Sequence, residues 1–127
     1  MFKDSEGPIE SFDWGCFVIN GEMHSAEGAG VGKDICIIDG IVTPWSARKG
    51  HLLKPKMVSS IIGSGIEILV IGNGVNGALK VPEKTSKAIS EAGISELIIE
   101  KTPEACAAFN RLYREGESVA FLAHGTC

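Results

Sequence analysis

The stretch Ile68-Leu69-Val70-Ile71, followed at once by Gly72, Gly74 and Gly77, constrains the fold more than any other feature of the chain. Four apolar residues in a row, without polar alternation, suit a strand buried on both faces, as in a parallel sheet. The glycines after it predict a turn whose bare backbone admits close approach by a ligand or by another chain segment. Strand ends of open α/β sheets are where such proteins bind ligands. The segment therefore points to the place of a site without naming its chemistry.

The remaining elements divide the chain into two halves. Phe12–Ile19, Asn20-Gly21 and Glu22–Ala26 read as a hairpin, because Asn-Gly supplies the two positive-φ residues of a type I′ turn. After a glycine-rich loop come a strand at Ile35–Ile38, a turn at Asp39-Gly40 and a strand at Ile41–Thr43. The second half alternates. Pro55 opens a helix to about Ile62 with Met57, Val58, Ile61 and Ile62 on one face. The strand at Ile68–Ile71 follows, then a helix over Pro82–Ala92 closed by Gly93. A strand at Leu97–Ile99 leads to a helix opened by Thr102-Pro103-Glu104, with Thr102 as the capping hydroxyl. Ala105, Ala108, Phe109, Leu112 and Tyr113 form that helix's buried face, and Val119–Ala123 is a last buried strand. The fold class is thus α/β, with successive parallel strands in the second half.

Length and charge narrow the function classes. A chain of 127 residues suits a single domain spanning 1–127, with residues 1–11 loosely ordered. A net charge of −4 without any basic run argues against nucleic acid or an anionic membrane surface as partner. No apolar stretch reaches the length of a membrane span. Residues 1–10 carry Asp4, Glu6 and Glu10 and resemble neither a secretory signal nor a transit peptide. Cys16, Cys36, Cys106 and Cys127 are scattered without CxxC spacing, which predicts buried thiols in a reducing cytoplasm.

Four motifs carry chemistry, each beside a plainer reading. Gly72-x-Gly74-x-x-Gly77 matches the dinucleotide fingerprint, and Glu100 sits where an acid would meet a ribose hydroxyl. Pro82 interrupts the helix that fingerprint requires, and the chain is too short for both mononucleotide halves. A tight structural turn is the simpler reading. Gly28–Lys33 fails the phosphate-loop pattern, since Asp34 stands where Ser or Thr is required. The loop Trp45–His51 combines an aromatic plane, the Arg48 guanidinium and the His51 imidazole. It could clamp an anion, or Trp45 could plug the core while Arg48 makes a surface ion pair. His124-Gly-Thr-Cys127 gathers an imidazole, a thiol and the last carboxylate of the chain. A packed chain end explains it more simply than a metal site or a Cys-His nucleophile. Lys80 could face the same strand ends as the glycine turn, where Asn73 and Asn76 tolerate left-handed backbone.

Taken together, several motifs resemble a known family. They are Thr43-Pro-Trp45, Arg48, Gly50-His51, Leu69-Val-Ile-Gly-Asn-Gly-x-x-Gly77, Leu79-x-Val81-Pro82, Gly93-Ile94, Thr102-x-x-Ala105, Phe109-Asn110-x-Leu112 and His124-x-Thr126-Cys127. The chain is similar, over about residues 10–127, to the Mth938-like domain family and most of all to its prokaryotic members. That family includes an adipogenesis-associated protein and the mitochondrial complex I assembly factor three. The resemblance implies a three-layer domain: a central, mostly parallel sheet with helices on both faces and a small additional N-terminal sheet. It implies no established enzyme activity. It also implies that Trp45, Arg48, His51, Gly72, Asn73, Gly74 and His124 gather near one end of the sheet. Asn73 stands where members commonly carry Thr, and the acidic N-terminus lacks the presequence of the assembly factor.

The functional expectation is a cytoplasmic accessory or protein-interaction module without catalysis, cofactor or metal. The alternative is a binder of, or enzyme on, a small anionic metabolite. Its ligand-binding residues would be Trp45, Arg48, His51, Gly72, Asn73, Gly74, Gly77, Lys80 and His124. A dinucleotide-dependent oxidoreductase is a second alternative. Open sheet edges leave room for a homodimer.

Overall fold

A computed structural model describes residues 1–127. The first four strands, β1 (Phe2–Lys3), β2 (Ile9–Asp13), β3 (Cys16–Ile19) and β4 (Glu22–Ser25), form an antiparallel sheet in chain order. Asn20 and Gly21 adopt φ of 51° and 78°, the pair of positive values the type I′ turn demands. The segment read as one strand, Phe12–Ile19, is two. Gly15, at φ 70°, reverses the chain after Trp14, and Phe12 then stacks on Phe17 across the new pair with ring centroids 4.6 Å apart.

Residues 1–11 do not hang loosely. Phe2 and Lys3 pair with Phe12 and Ser11. The Asn110 side chain accepts from the Ile9 N–H (2.9 Å) and donates to the Ile9 carbonyl (2.8 Å), so β2 is tied to the helix carrying Asn110. Such contacts join positions about a hundred residues apart and leave no local pattern.

The second sheet contains β5 (Ile35–Ile38), β6 (Ile41–Pro44), β7 (Ile68–Asn73), β8 (Glu96–Glu100) and β9 (Val119–His124), in the order β6-β5-β9-β7-β8. β7 runs parallel to both β8 and β9, whereas β5 is antiparallel to β9 and β6. The sheet is therefore mixed rather than mostly parallel. The tight Asp39-Gly40 turn, with φ of 52° and 76°, forces β6 back along β5, and that hairpin joins the main sheet instead of the N-terminal one.

As its apolar run predicts, β7 is buried on both faces. Ile68 and Val70 pack with Ala105, Cys106, Phe109 and Leu112 of helix α2 (Thr102–Arg114) and with Phe12 and Phe17 of the small sheet. Leu69 and Ile71 pack on the other side with Trp45, Leu53, Met57, Val58 and with Ile89 of helix α1 (Glu83–Glu91). The expected helix over Pro55–Ile62 shrinks to a 3-10 turn, Pro55–Val58. Lys54 supplies no side-chain cap, and the following residues continue in short-range turns such as Ile61 N–H to Val58 carbonyl (3.0 Å). Tyr113 lies on the outer side of α2, 40% exposed, rather than on its buried face. No helix is long and apolar enough to cross a membrane.

Candidate functional site

The end of β7 is held from both sides. Gly72 is opposite Glu100 on β8 and Ala123 on β9, and Asn73 is opposite His124. Beyond it the glycine turn opens its N–H groups into a concave nest. The chain itself fills that nest. Val75 N–H donates to the Thr126 carbonyl (2.7 Å), while Asn76 and Ala78 N–H donate to the Cys127 carbonyl (2.9 and 3.2 Å). A Cβ on Gly74, whose φ is 104°, would overlap the Cys127 carbonyl group, and one on Gly72 would lie 2.9 Å from Thr102 Oγ1. Gly77, at φ 71°, closes the turn. These glycines make room for other parts of the chain.

The helix required by a dinucleotide fingerprint does not follow the turn, for α1 begins only at Glu83, after Pro82. The helix that does abut the turn is α2. Thr102 is not its cap: Lys101 holds that position, and Thr102 is the first helical residue. Its hydroxyl, fully buried, accepts from Gly74 N–H (2.9 Å) and donates to the His124 carbonyl (2.8 Å).

Asp34 is the electrostatic centre, and sequence reasoning missed it as a site residue. It lies just before β5, whose first residue Ile35 pairs with Ala123. That register sets Asp34 against His124. Asp34 Oδ1 is 3.0 Å from His124 Nδ1 and accepts from Gly125 N–H (3.0 Å), while Oδ2 accepts from Arg48 Nε (2.6 Å). Burial by itself would raise the Asp34 carboxyl, but the His124, Gly125 and Arg48 hydrogen bonds outweigh it and hold the group at about 2. Arg48 and Asp34 are each only 12% exposed, so the pair is partly buried rather than a surface ion pair. Arg48 also donates to the Gly50 carbonyl (2.5 Å), which fixes the loop.

The Asp34 carboxylate engages Nδ1, so Nε2 is the ring nitrogen of His124 left for a further partner. The ring is buried (2% exposed), and its other side-chain hydrogen-bond contact is to Thr126 Oγ1 at 3.5 Å, from Nε2. The exposed His51 ring lies 5.5 Å from it, centroid to centroid. Cys127, half-buried, completes a cluster in which a nitrogen of each histidine and the Sγ lie within 4.8 Å of one another.

The other sequence candidates divide. Trp45 is core: it is 3% exposed and its Nε1–H donates to the Met57 carbonyl (2.8 Å). Lys80 is exposed, and its backbone bridges the loop to the turn by donating to His51 (2.8 Å) and accepting from Leu53 (2.8 Å). Asn73 is partly buried, and its Oδ1 has no hydrogen-bond partner. A cavity of about 590 Å³ opens beside His51, walled by Lys49, Lys54 and Lys56 with Leu52 and Met57. The three lysines adjoin Arg48 and His51 in the sequence. All three lie within one short segment, 49–56, which lines the cavity along its length.

These features define an α/β domain of Mth938-like fold in which a partly buried Asp–His pair stands at the strand ends of the larger sheet. The chain belongs to the family described as a protein of unknown function (DUF498/DUF598), whose model matches residues 9–124. Solved structures share the fold. A conserved hypothetical protein of Pyrococcus horikoshii is 22% identical at a TM-score of 0.77, over 94% of this chain and 98% of its own. A Bartonella henselae protein described as an outer membrane protein is 25% identical at 0.76, over 94% and 95%. An Mth938-like domain of Bordetella pertussis is 16% identical at 0.63, over 92% and 84%.

Proposed function

We propose that this single domain binds a small anion, of the phosphate or carboxylate class, in the cavity beside His51. The observation that carries the reading is that Lys49, Lys54 and Lys56 all line that one cavity, in a chain of net charge −4. Ammonium groups on a shared concave surface raise the local potential and favour an anionic guest. The binding set is shifted from the one expected on sequence. Arg48 is neutralised by Asp34, Trp45 is core, and the nest at Gly72–Gly77 is occupied by Cys127. His51 stays at the cavity rim.

Calorimetric titration with inorganic phosphate and with small dicarboxylates tests this. The wild type should bind, more weakly as salt rises, and Lys54→Ala/Lys56→Ala should weaken binding by about tenfold or more, since each tenfold is only about 1.4 kcal/mol. Equal affinity in the two proteins refutes the reading.

A second reading, an accessory module that docks a protein partner or a second copy, is supported by the open edge of β6. There Ile41 is 64% exposed, and such an edge can take an added strand. Four free thiols support a reducing, cytoplasmic setting.

A further inference from the structure

We propose that His51, His124 and Cys127 form a three-ligand site for a divalent cation of the zinc class. A nitrogen from each ring and the Cys127 Sγ already lie within 4.8 Å of one another. Tetrahedral zinc, with Zn–S about 2.3 Å and Zn–N about 2.0–2.1 Å, sets its ligand atoms about 3.4–3.6 Å apart. The cluster must therefore contract by about 1 Å. Two of its members are free to do so, because His51 is exposed and Cys127 is half-buried.

The third member is the fixed point. His124 is 2% exposed, and Asp34 holds its Nδ1 at 3.0 Å. The remaining nitrogen, Nε2, has only the long 3.5 Å contact to Thr126 Oγ1. A carboxylate on one imidazole nitrogen, orienting the other toward a metal and raising its basicity, is the usual support of a metal-bound histidine. Asp34 is itself held in place by Arg48 and Gly125 N–H. The Cys127 backbone is anchored by Asn76 and Ala78 N–H, which keeps its thiol beside the two rings.

Two imidazoles and one thiolate suit zinc by softness and leave a fourth position for water or an exogenous ligand. On coordination Cys127 binds as thiolate, its proton passing to solvent. The oxygen donors favoured by calcium and magnesium are missing from the ligand set.

The test uses reduced, chelator-treated full chain. Zinc titration by calorimetry should give one site per chain. Cobalt(II) should produce a near-ultraviolet thiolate-to-metal charge-transfer band. Cys127→Ser should abolish that band. His51→Ala, at an exposed position, should weaken zinc binding by about tenfold or more. Asp34→Asn should weaken it by about 10–100-fold, as loss of an outer-shell partner does. The Lys54→Ala/Lys56→Ala protein should bind zinc as the wild type does, so that failure of the anion reading and failure of this one are told apart. No one-to-one binding, or binding that survives both His51→Ala and Cys127→Ser, or a charge-transfer band that persists in Cys127→Ser, overturns the proposal.

Discussion

Replacing Thr102 by valine removes a single hydroxyl while keeping the shape of the side chain. In the folded protein that hydroxyl is fully buried, accepts from Gly74 N–H at 2.9 Å and donates to the His124 carbonyl at 2.8 Å. Valine leaves both backbone groups unpaired where water does not reach. At about 1–3 kcal/mol for each orphaned group, partly offset by burying a methyl, the expected loss is about 2–4 kcal/mol. Unfolding entropy of about 2.1 cal/mol/K per residue, taken over 127 residues, converts this to a fall in Tm of about 8–15 °C. Reversible thermal or urea unfolding at pH 7 reads it directly. Thr102→Ser, which keeps the oxygen, should lose only about 1 kcal/mol, the cost of a buried methyl. Thr102→Asp separates this geometry from the capping role that Thr-Pro-Glu suggests. An N-cap accepts aspartate as readily as threonine, but a carboxylate here would face the His124 carbonyl with no proton to give it. Valine within 1 kcal/mol of wild type, or aspartate as stable as threonine, would refute the reasoning.

Asp34→Asn should flatten the acid limb of the stability curve. The folded carboxyl titrates at about 2 and the unfolded one at its ordinary 3.8, so the group's contribution is complete above the unfolded value and is lost as pH falls through the folded one. At about 1.36 kcal/mol per unit the difference is about 2 kcal/mol. Urea unfolding of chelated protein between pH 6 and pH 2 should show wild type losing about that much more than the variant, and parallel curves would count against the assignment. Asn110→Leu should destabilise by about 2–3 kcal/mol by orphaning the Ile9 N–H and carbonyl. Hydrogen exchange should then quicken in residues 2–13 while β7 stays protected, and a uniform change across both sheets would show that Asn110 acts on the whole fold.

Much of the architecture is written in local chemistry. The double-sided burial of β7 follows from Ile68–Ile71, and both type I′ turns follow from Asn20-Gly21 and Asp39-Gly40. What local chemistry could not supply was pairing between distant segments. The partner of β5 is β9, more than eighty residues on, and only that register reveals Asp34 as the partner of His124. The same holds for Asn110 and Ile9. The helix expected after Pro55 failed for a different reason: apolar spacing alone does not sustain a helix that lacks a cap and contains Ser59-Ser60. Of the anticipated site residues, Arg48, His51, Gly72, Asn73, Gly74 and His124 lie at one end of the sheet. Trp45 belongs to the core, and the lysines went unnoticed because isolated Lys residues in a loop look like any solvated surface.

The glycine turn illustrates how far a motif can be read. Glycines at 72, 74 and 77 announce that backbone N–H groups will be bare and that something will come close to them. They do not say what. Here the oxygen that enters the nest belongs to Cys127, three residues beyond the end of β9. The consequence is positional. By holding residues 126 and 127 against the end of β7, the turn brings the Cys127 thiol beside His51 and His124. Gly74 is the residue on which this depends, since a Cβ at its φ of 104° would meet the Cys127 carbonyl group. The turn and the Asp34 carboxylate thus act on the same cluster, one fixing the backbone that carries the thiol and the other the His124 imidazole.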